Sequence, residues 1–121
     1  MKNVDINPEM PAFPISVVAD ILQVHHRTLR IWDEEGILIP GRSVKNRRMY
    51  SINDIEKGKL IQFMTRNLGI NIISIKVIFK LCPDLNIEKI KTIADELGVT
   101  NEEMEERIFK MSKRGRKPAT I

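Results

Sequence analysis

The feature that most constrains this chain is a pair of short apolar-faced segments with almost nothing between them. From Ser16 the apolar residues fall at Val17, Val18, Ile21 and Leu22, the spacing of one helical face, with Ser16 placed as the cap. From His25 to Glu35, Leu29 and Trp32 take one side of a second helix, and Gly36 supplies its stop. Only Gln23 and Val24 connect the two, which predicts a helix-turn-helix. Ile37 to Tyr50 has apolar ends around Pro40, Gly41, Arg42, Ser43, Lys45, Asn46, Arg47 and Arg48, and reads as a small basic β-hairpin. Ser51, with Asp54 three residues later, opens a third helix. Its apolar face is Ile55, Leu60, Ile61, Phe63, Met64 and Leu68, and Gly69 ends it. A fourth helix from about Ile72 carries Ile75, Val77, Ile78, Phe79 and Leu81 until Pro83 breaks the chain.

Charge is placed very unevenly along the 121 residues. The total is +4, from 20 Lys+Arg against 16 Asp+Glu, with a sequence pI of about 9.4. Residues 25–83 hold eleven basic and five acidic side chains, residues 84–106 hold two and eight, and residues 107–121 hold six and none. A basic body and a basic tail can face phosphate, whereas the acidic segment between them cannot. The length leaves no room for a second enzyme-sized domain. One Cys closes no intrachain disulfide, no apolar run approaches a membrane span, and residues 1–14 lack a signal-peptide pattern. These features predict a soluble cytoplasmic protein with no membrane association. No Gly-rich phosphate loop, partnered nucleophile or metal-spaced cluster stands out, so neither an enzyme nor a cofactor is expected. His25 and His26 have no Cys cluster near them in sequence and read as surface residues rather than metal ligands.

A helix-turn-helix sets its second helix in the major groove while flanking groups grip phosphates. That helix offers His26, Arg27, Thr28 and Arg30, and the hairpin adds Arg42, Lys45, Arg47 and Arg48 as a wing for backbone contact. Asp33, Glu34 and Glu35 mark the end expected to point away from DNA. The runs Ile15 to Leu22, Val24 to Leu38, Asn46 to Ser51 and Asp54-Ile55 together resemble the winged helix-turn-helix of MerR-type transcription regulators. Thr65 to Asn71 is similar to the heat-shock repressor branch of that family, called HspR. The resemblance covers about residues 14–81. It implies a groove-entering helix with Thr28, Arg30 and Trp32, a wing holding the DNA backbone through Arg48 and Tyr50, and a second wing at Arg66 and Asn67. Ser16 joins this DNA-facing set. Trp32 reads equally well as a phosphate contact or as core. Gln23 stands where the family usually has Gly, so a left-handed turn there carries a cost.

The organisation expected is a mostly α, winged helix-turn-helix domain over residues 15–82, after a loose leader over 1–14 that Pro8, Pro11 and Pro14 keep from being helical. A helical dimerisation segment over 83–112 and a basic tail over 113–121 follow. Ile87, Ile90, Ala94, Leu97, Asn101, Met104, Ile108 and Met111 alternate by three and four, a heptad seam that predicts a homodimer, in keeping with the resembling family. Leu97-Gly98-Val99-Thr100 followed by Glu103 reads instead as a stop and a new start, and two helices is the preferred reading over one. In the tail, Arg114, Arg116 and Lys117 are candidate contacts, as a sequence-blind phosphate arm rather than a minor-groove hook. The reading is a sequence-specific regulator binding promoter duplex DNA as a homodimer. No effector domain is expected after residue 121. RNA polymerase or a chaperone, the latter implied by the HspR resemblance, are the candidate protein partners. The rivals are a protein-binding adaptor on the same fold and a sensor built on Cys82.

Overall fold

The computed structural model describes residues 7–99. Along the chain these form β1 (Phe13–Pro14), α1 (Ile15–Leu22), α2 (His26–Glu34), β2 (Gly41–Arg42), β3 (Arg48–Tyr50), α3 (Ile52–Arg66), α4 (Ile72–Leu81) and α5 (Ile87–Leu97). The mostly α fold with a hairpin wing is as expected. The three strands make one antiparallel sheet in the order β1-β3-β2, with Phe13 opposite Tyr50 and Arg42 opposite Arg48.

β1 corrects the loose leader. Proline does forbid a helix here, but Pro14 lies on an edge strand, where a missing N–H costs no ladder bond. The Ala12 N–H donates to the Tyr50 carbonyl at 3.1 Å, and the Asn53 N–H donates to the Pro8 carbonyl at 3.0 Å, so residues 8–14 are tied to β3 and to the first turn of α3. A second correction concerns Ser16. α1 begins at Ile15 with Pro14 as its N-cap residue, which leaves Ser16 inside the first turn.

α3 is the central post. Ser51 and Asp54 form a reciprocal capping box, with bonds of 3.0 and 2.9 Å. Its buried residues Ile55, Gly58, Leu60, Ile61 and Met64 do not share one stripe, because α1 packs on one side and α5 on another. The core gathers Val18 and Leu22 of α1, Leu29 and Trp32 of α2, Ile37, Leu38, Tyr50, the α3 residues and Ile75 of α4. Gly58 lets α1 come close, since a Cβ there would sit 2.6 Å from Leu22 Cδ1.

α5 changes the expected seam. Ala94 is buried, and Ile87 and Ile90 pack against the chain's own core. The early part of the heptad pattern is therefore the face α5 turns to its own body, and Leu97 is exposed. The physical reason is that one apolar stripe serves intrachain and interchain packing alike, and periodicity cannot tell them apart. The stop at Gly98 is real: its φ of 60° is left-handed and its N–H donates to the Ala94 carbonyl. Asn101, Met104, Ile108, Met111, Arg114, Arg116 and Lys117 lie outside the described residues.

Candidate nucleic-acid interface

The tight turn between α1 and α2 sets the geometry of everything beside it. Gln23 ends α1 with φ 56° and ψ 47°, the left-handed conformation that an L side chain resists. Three interactions hold it. The Gln23 amide Nε2 donates to the Asp20 carbonyl at 2.8 Å. From α3, Gln62 Nε2 donates to the Leu22 carbonyl, and the Arg66 guanidinium donates to the Gln23 carbonyl at 2.7 Å. The α1 carbonyls left open by the helix end are thus satisfied by a neighbouring helix. Gln62 carried no signal in the sequence, since its partner is forty residues away.

α2 then presents Leu29 and Trp32 to the core and His26, Arg27 and Arg30 to solvent, with Thr28 half-buried. Trp32 is only 4% exposed, which resolves the two readings of it in favour of the core. Arg27 and Arg30 make no ion pair among the described residues. The guanidinium of each is available to a phosphate or a base edge.

The wing is held to α2 by a carboxylate. Arg48 Nε donates to Asp33 Oδ2 at 2.8 Å, and Arg42 lies 3.5 Å from the same oxygen. The sequence places Asp33 at the end of α2 expected to point away from DNA; in the structure it is the post on which two wing arginines rest. Arg48 is thereby tied to α2, whereas Arg47 and Lys45 are exposed on the wing. The turn itself is well made, with the Asn46 N–H on the Ser43 carbonyl at 2.8 Å, the Arg47 N–H on Ser43 Oγ at 3.1 Å, and Asn46 in the left-handed region that Asn tolerates.

Tyr50 is a further correction. Its side chain is fully buried, so it touches core rather than phosphate, and burial pushes its phenol up to about 12. Strand alternation explains the pair, because residues 48 and 50 share the sheet face turned toward the helices. Its hydroxyl is buried without a hydrogen-bond partner among the described residues.

Between α1, α2 and the wing runs a groove of about 300 Å³ lined by Ser16, Arg30, Arg42, Asn46, Arg47 and Arg48. Four guanidinium groups around the first turn of a helix form a cleft suited to an anionic backbone. A second, broader hollow of about 570 Å³ lies beside the turn, with His25, Thr28, Gln62 and Arg66 among its walls. Asn67 is exposed at the end of α3. Of the set expected from the sequence, Ser16, Arg30, Arg42, Arg47 and Arg48 line the groove, and Thr28 and Arg66 line the hollow beside the turn. Trp32 and Tyr50 are buried.

The model of the family described as MerR HTH family regulatory protein matches residues 13–82. The chain belongs to the MerR family. A protein of Streptomyces coelicolor named as heat shock protein HspR is 35% identical over 77 residues, which is 64% of this chain and 51% of that one. The HTH-type transcriptional regulator GlnR of Bacillus anthracis is 30% identical over 94 residues, covering 78% of this chain and 71% of the relative, and the Bacillus cereus GlnR matches equally. The chain thus spans about half the length of its Streptomyces relative and about 71% of the Bacillus ones. Among solved structures, HiNmlR, described as a MerR family regulator lacking the sensor domain and bound to promoter DNA, superposes with a TM-score of 0.55 at 20% identity. That match covers 84% of this MerR chain and 80% of the neighbour, and it shows the shared fold. Among the described residues no helix is long and apolar enough to cross a membrane.

Proposed function

We propose that this MerR-family chain is a transcription regulator that reads duplex promoter DNA as a homodimer, with α2 in the major groove and the wing on the phosphates. The observation that carries the reading is the arginine-lined groove between α1, α2 and the wing, to which α2 contributes Arg30, with Arg27 exposed on the same helix. Arg30 and Arg27 are the candidates for base edges, and Arg47, Lys45, Arg42 and Ser16 for backbone. Arg66 serves through the turn that aims α2. The tail residues Arg114, Arg116 and Lys117 add sequence-blind affinity, and the protein works in the cytoplasm where its DNA lies. RNA polymerase and a chaperone are the protein partners that such a regulator would meet. The names of the GlnR and HspR relatives and the promoter DNA held by the structural neighbour support the reading.

Selection of bound duplexes from a random pool, with the full chain at near-physiological salt, tests it. An enriched inverted repeat with half-sites spaced by whole helical turns is expected. No enrichment would overturn the reading in favour of a protein-binding adaptor. On the selected duplex, Arg47→Ala should lower the slope of log affinity against log salt by about one phosphate contact. An unchanged slope would remove the wing from the interface.

A further inference from the structure

α3, α4 and the start of α5 enclose a hollow of about 550 Å³, which shares no wall residue with the arginine groove or with the hollow beside the turn. Its volume falls within the roughly 300–1,000 Å³ of sites that take small molecules. The lining is largely apolar. Leu60 of α3 is buried, and Phe79 of α4, Leu85 of the connection and Ile87 of α5 are half-buried around the same space. At the rim, Asn53 and Lys57 are both exposed and four residues apart on α3, so they stand in line along it. The Asn53 amide side chain makes no hydrogen bond among the described residues.

Lys57 is held in place but not neutralised. Its ammonium lies 4.9 Å from the centroid of the Phe79 ring, a cation–π contact that orients the charge. It has no ion pair among the described residues. Glu56, the carboxylate of the walls, is committed to Lys59 at 3.1 Å. Phe79 also borders a smaller hollow of about 350 Å³ with Lys57, Lys76 and Lys80 in its walls, where Glu35 is bonded to Lys76 at 3.1 Å. Lys57 and Lys80 are thus cations left over beside an aromatic ring.

An apolar lining with uncompensated positive charge at its rim selects among ligands. A cation is repelled by Lys57. A neutral apolar body covers the lining but takes water from the ammonium with nothing in return. An anion with an apolar body gains on both counts, since its hydrocarbon leaves water and its charge meets a donor.

We propose that this hollow binds a small organic anion of the aryl carboxylate class, its ring against Phe79 and Leu60 and its carboxylate on the Lys57 ammonium and the Asn53 amide. No residue assigned to DNA takes part, so the site stands or falls apart from the regulator reading.

Titration of the full, isotope-labelled chain with naphthoate at near-physiological salt tests this, in parallel with naphthamide, the neutral compound of the same shape. Saturable shifts of backbone amide resonances are expected at residues 53–60 and 79–87, with naphthoate bound roughly five-fold tighter than naphthamide. Lys57→Gln should remove that preference, weakening naphthoate while leaving naphthamide as it was. Lys57 is exposed, so its replacement leaves the core intact, and circular dichroism verifies the fold. Equal affinity for the two compounds, or a preference that survives in Lys57→Gln, would overturn the pairing of the carboxylate with Lys57 and with it the proposal. Shifts that never saturate would overturn the site itself. Shifts confined to Arg30, Arg42, Arg47 and Arg48 would place the anion in the arginine groove and overturn it as well.

Discussion

Asp33 shows how one side chain can set the meaning of several others. Its carboxylate bonds Arg48 at 2.8 Å and lies 3.5 Å from Arg42, so it aims the wing at the cost of part of the wing's charge. Asp33→Ala should lower stability by about 1–2 kcal/mol in urea titrations, because a charge-assisted, partly buried bond is lost. Asp33→Asn, which keeps an acceptor, should lose less; equal losses would deny the bond its role. Tyr50 offers a test with a definite sign. Its phenol ionises near 10 when unfolded and near 12 when folded, so its contribution is fully present below pH 10 and is lost as pH rises toward 12. The urea midpoint should fall over that window, and fall less in Tyr50→Phe. At neutral pH Tyr50→Phe should be neutral or stabilising by up to about 1 kcal/mol, since it removes a buried hydroxyl with no partner. Marked destabilisation at neutral pH would mean the hydroxyl has a partner after all.

At the scale of elements, α3 clamps the turn between α1 and α2. Gln62 and Arg66 both donate to carbonyls at the end of α1, and they hold Gln23 in a conformation that costs roughly 1–2 kcal/mol for a residue with a Cβ. Gln23→Gly should therefore raise the melting free energy by up to about 1 kcal/mol, after the lost side-chain bond and the added chain entropy are counted. A drop instead would show that the side-chain bond to Asp20 outweighs the strain. Gly58 marks the opposite constraint. Ala normally improves a helix interior by about 1 kcal/mol. Here its methyl would meet Leu22 Cδ1 at 2.6 Å, and Leu22 is itself buried and hemmed in. Thermal melts should show Gly58→Ala destabilised by about 1–2 kcal/mol net, the overpacking term exceeding the propensity gain. A neutral result would mean that α1 can shift away.

On the scale of the whole molecule, a basic body and an acidic segment follow one another along one chain. Arg30 of α2 and Arg42, Arg47 and Arg48 of the wing line one groove, while the acids of 84–106 follow α4 in the chain. Affinity for duplex DNA should fall steeply with salt for the whole chain, and deleting residues 113–121 should weaken binding to every duplex. A loss confined to A·T-rich duplexes would make the tail a minor-groove reader instead. α5 illustrates what crosses this scale. Its seam at Ile87, Ile90 and Ala94 closes onto the body of its own chain, whereas Ile73, Val77 and Leu81 of α4 are exposed.

Sequence alone determined the elements whose causes are local. The two short helices, the capping box of Ser51 and Asp54, the stop at Gly98 and the basic hairpin all follow from spacing and caps within a few residues. The resemblance reached further and named the family, since ordered blocks of residues carry it. Tertiary structure decided what depends on partners far along the chain. It made a strand of Phe13–Pro14 by pairing it with β3, buried Trp32 and Tyr50, turned Asp33 into the anchor of the wing, and gave Gln62 a partner forty residues away. The physical reason is that helix caps and amphipathic periods are short-range, whereas burial and ion pairing are properties of the packed whole.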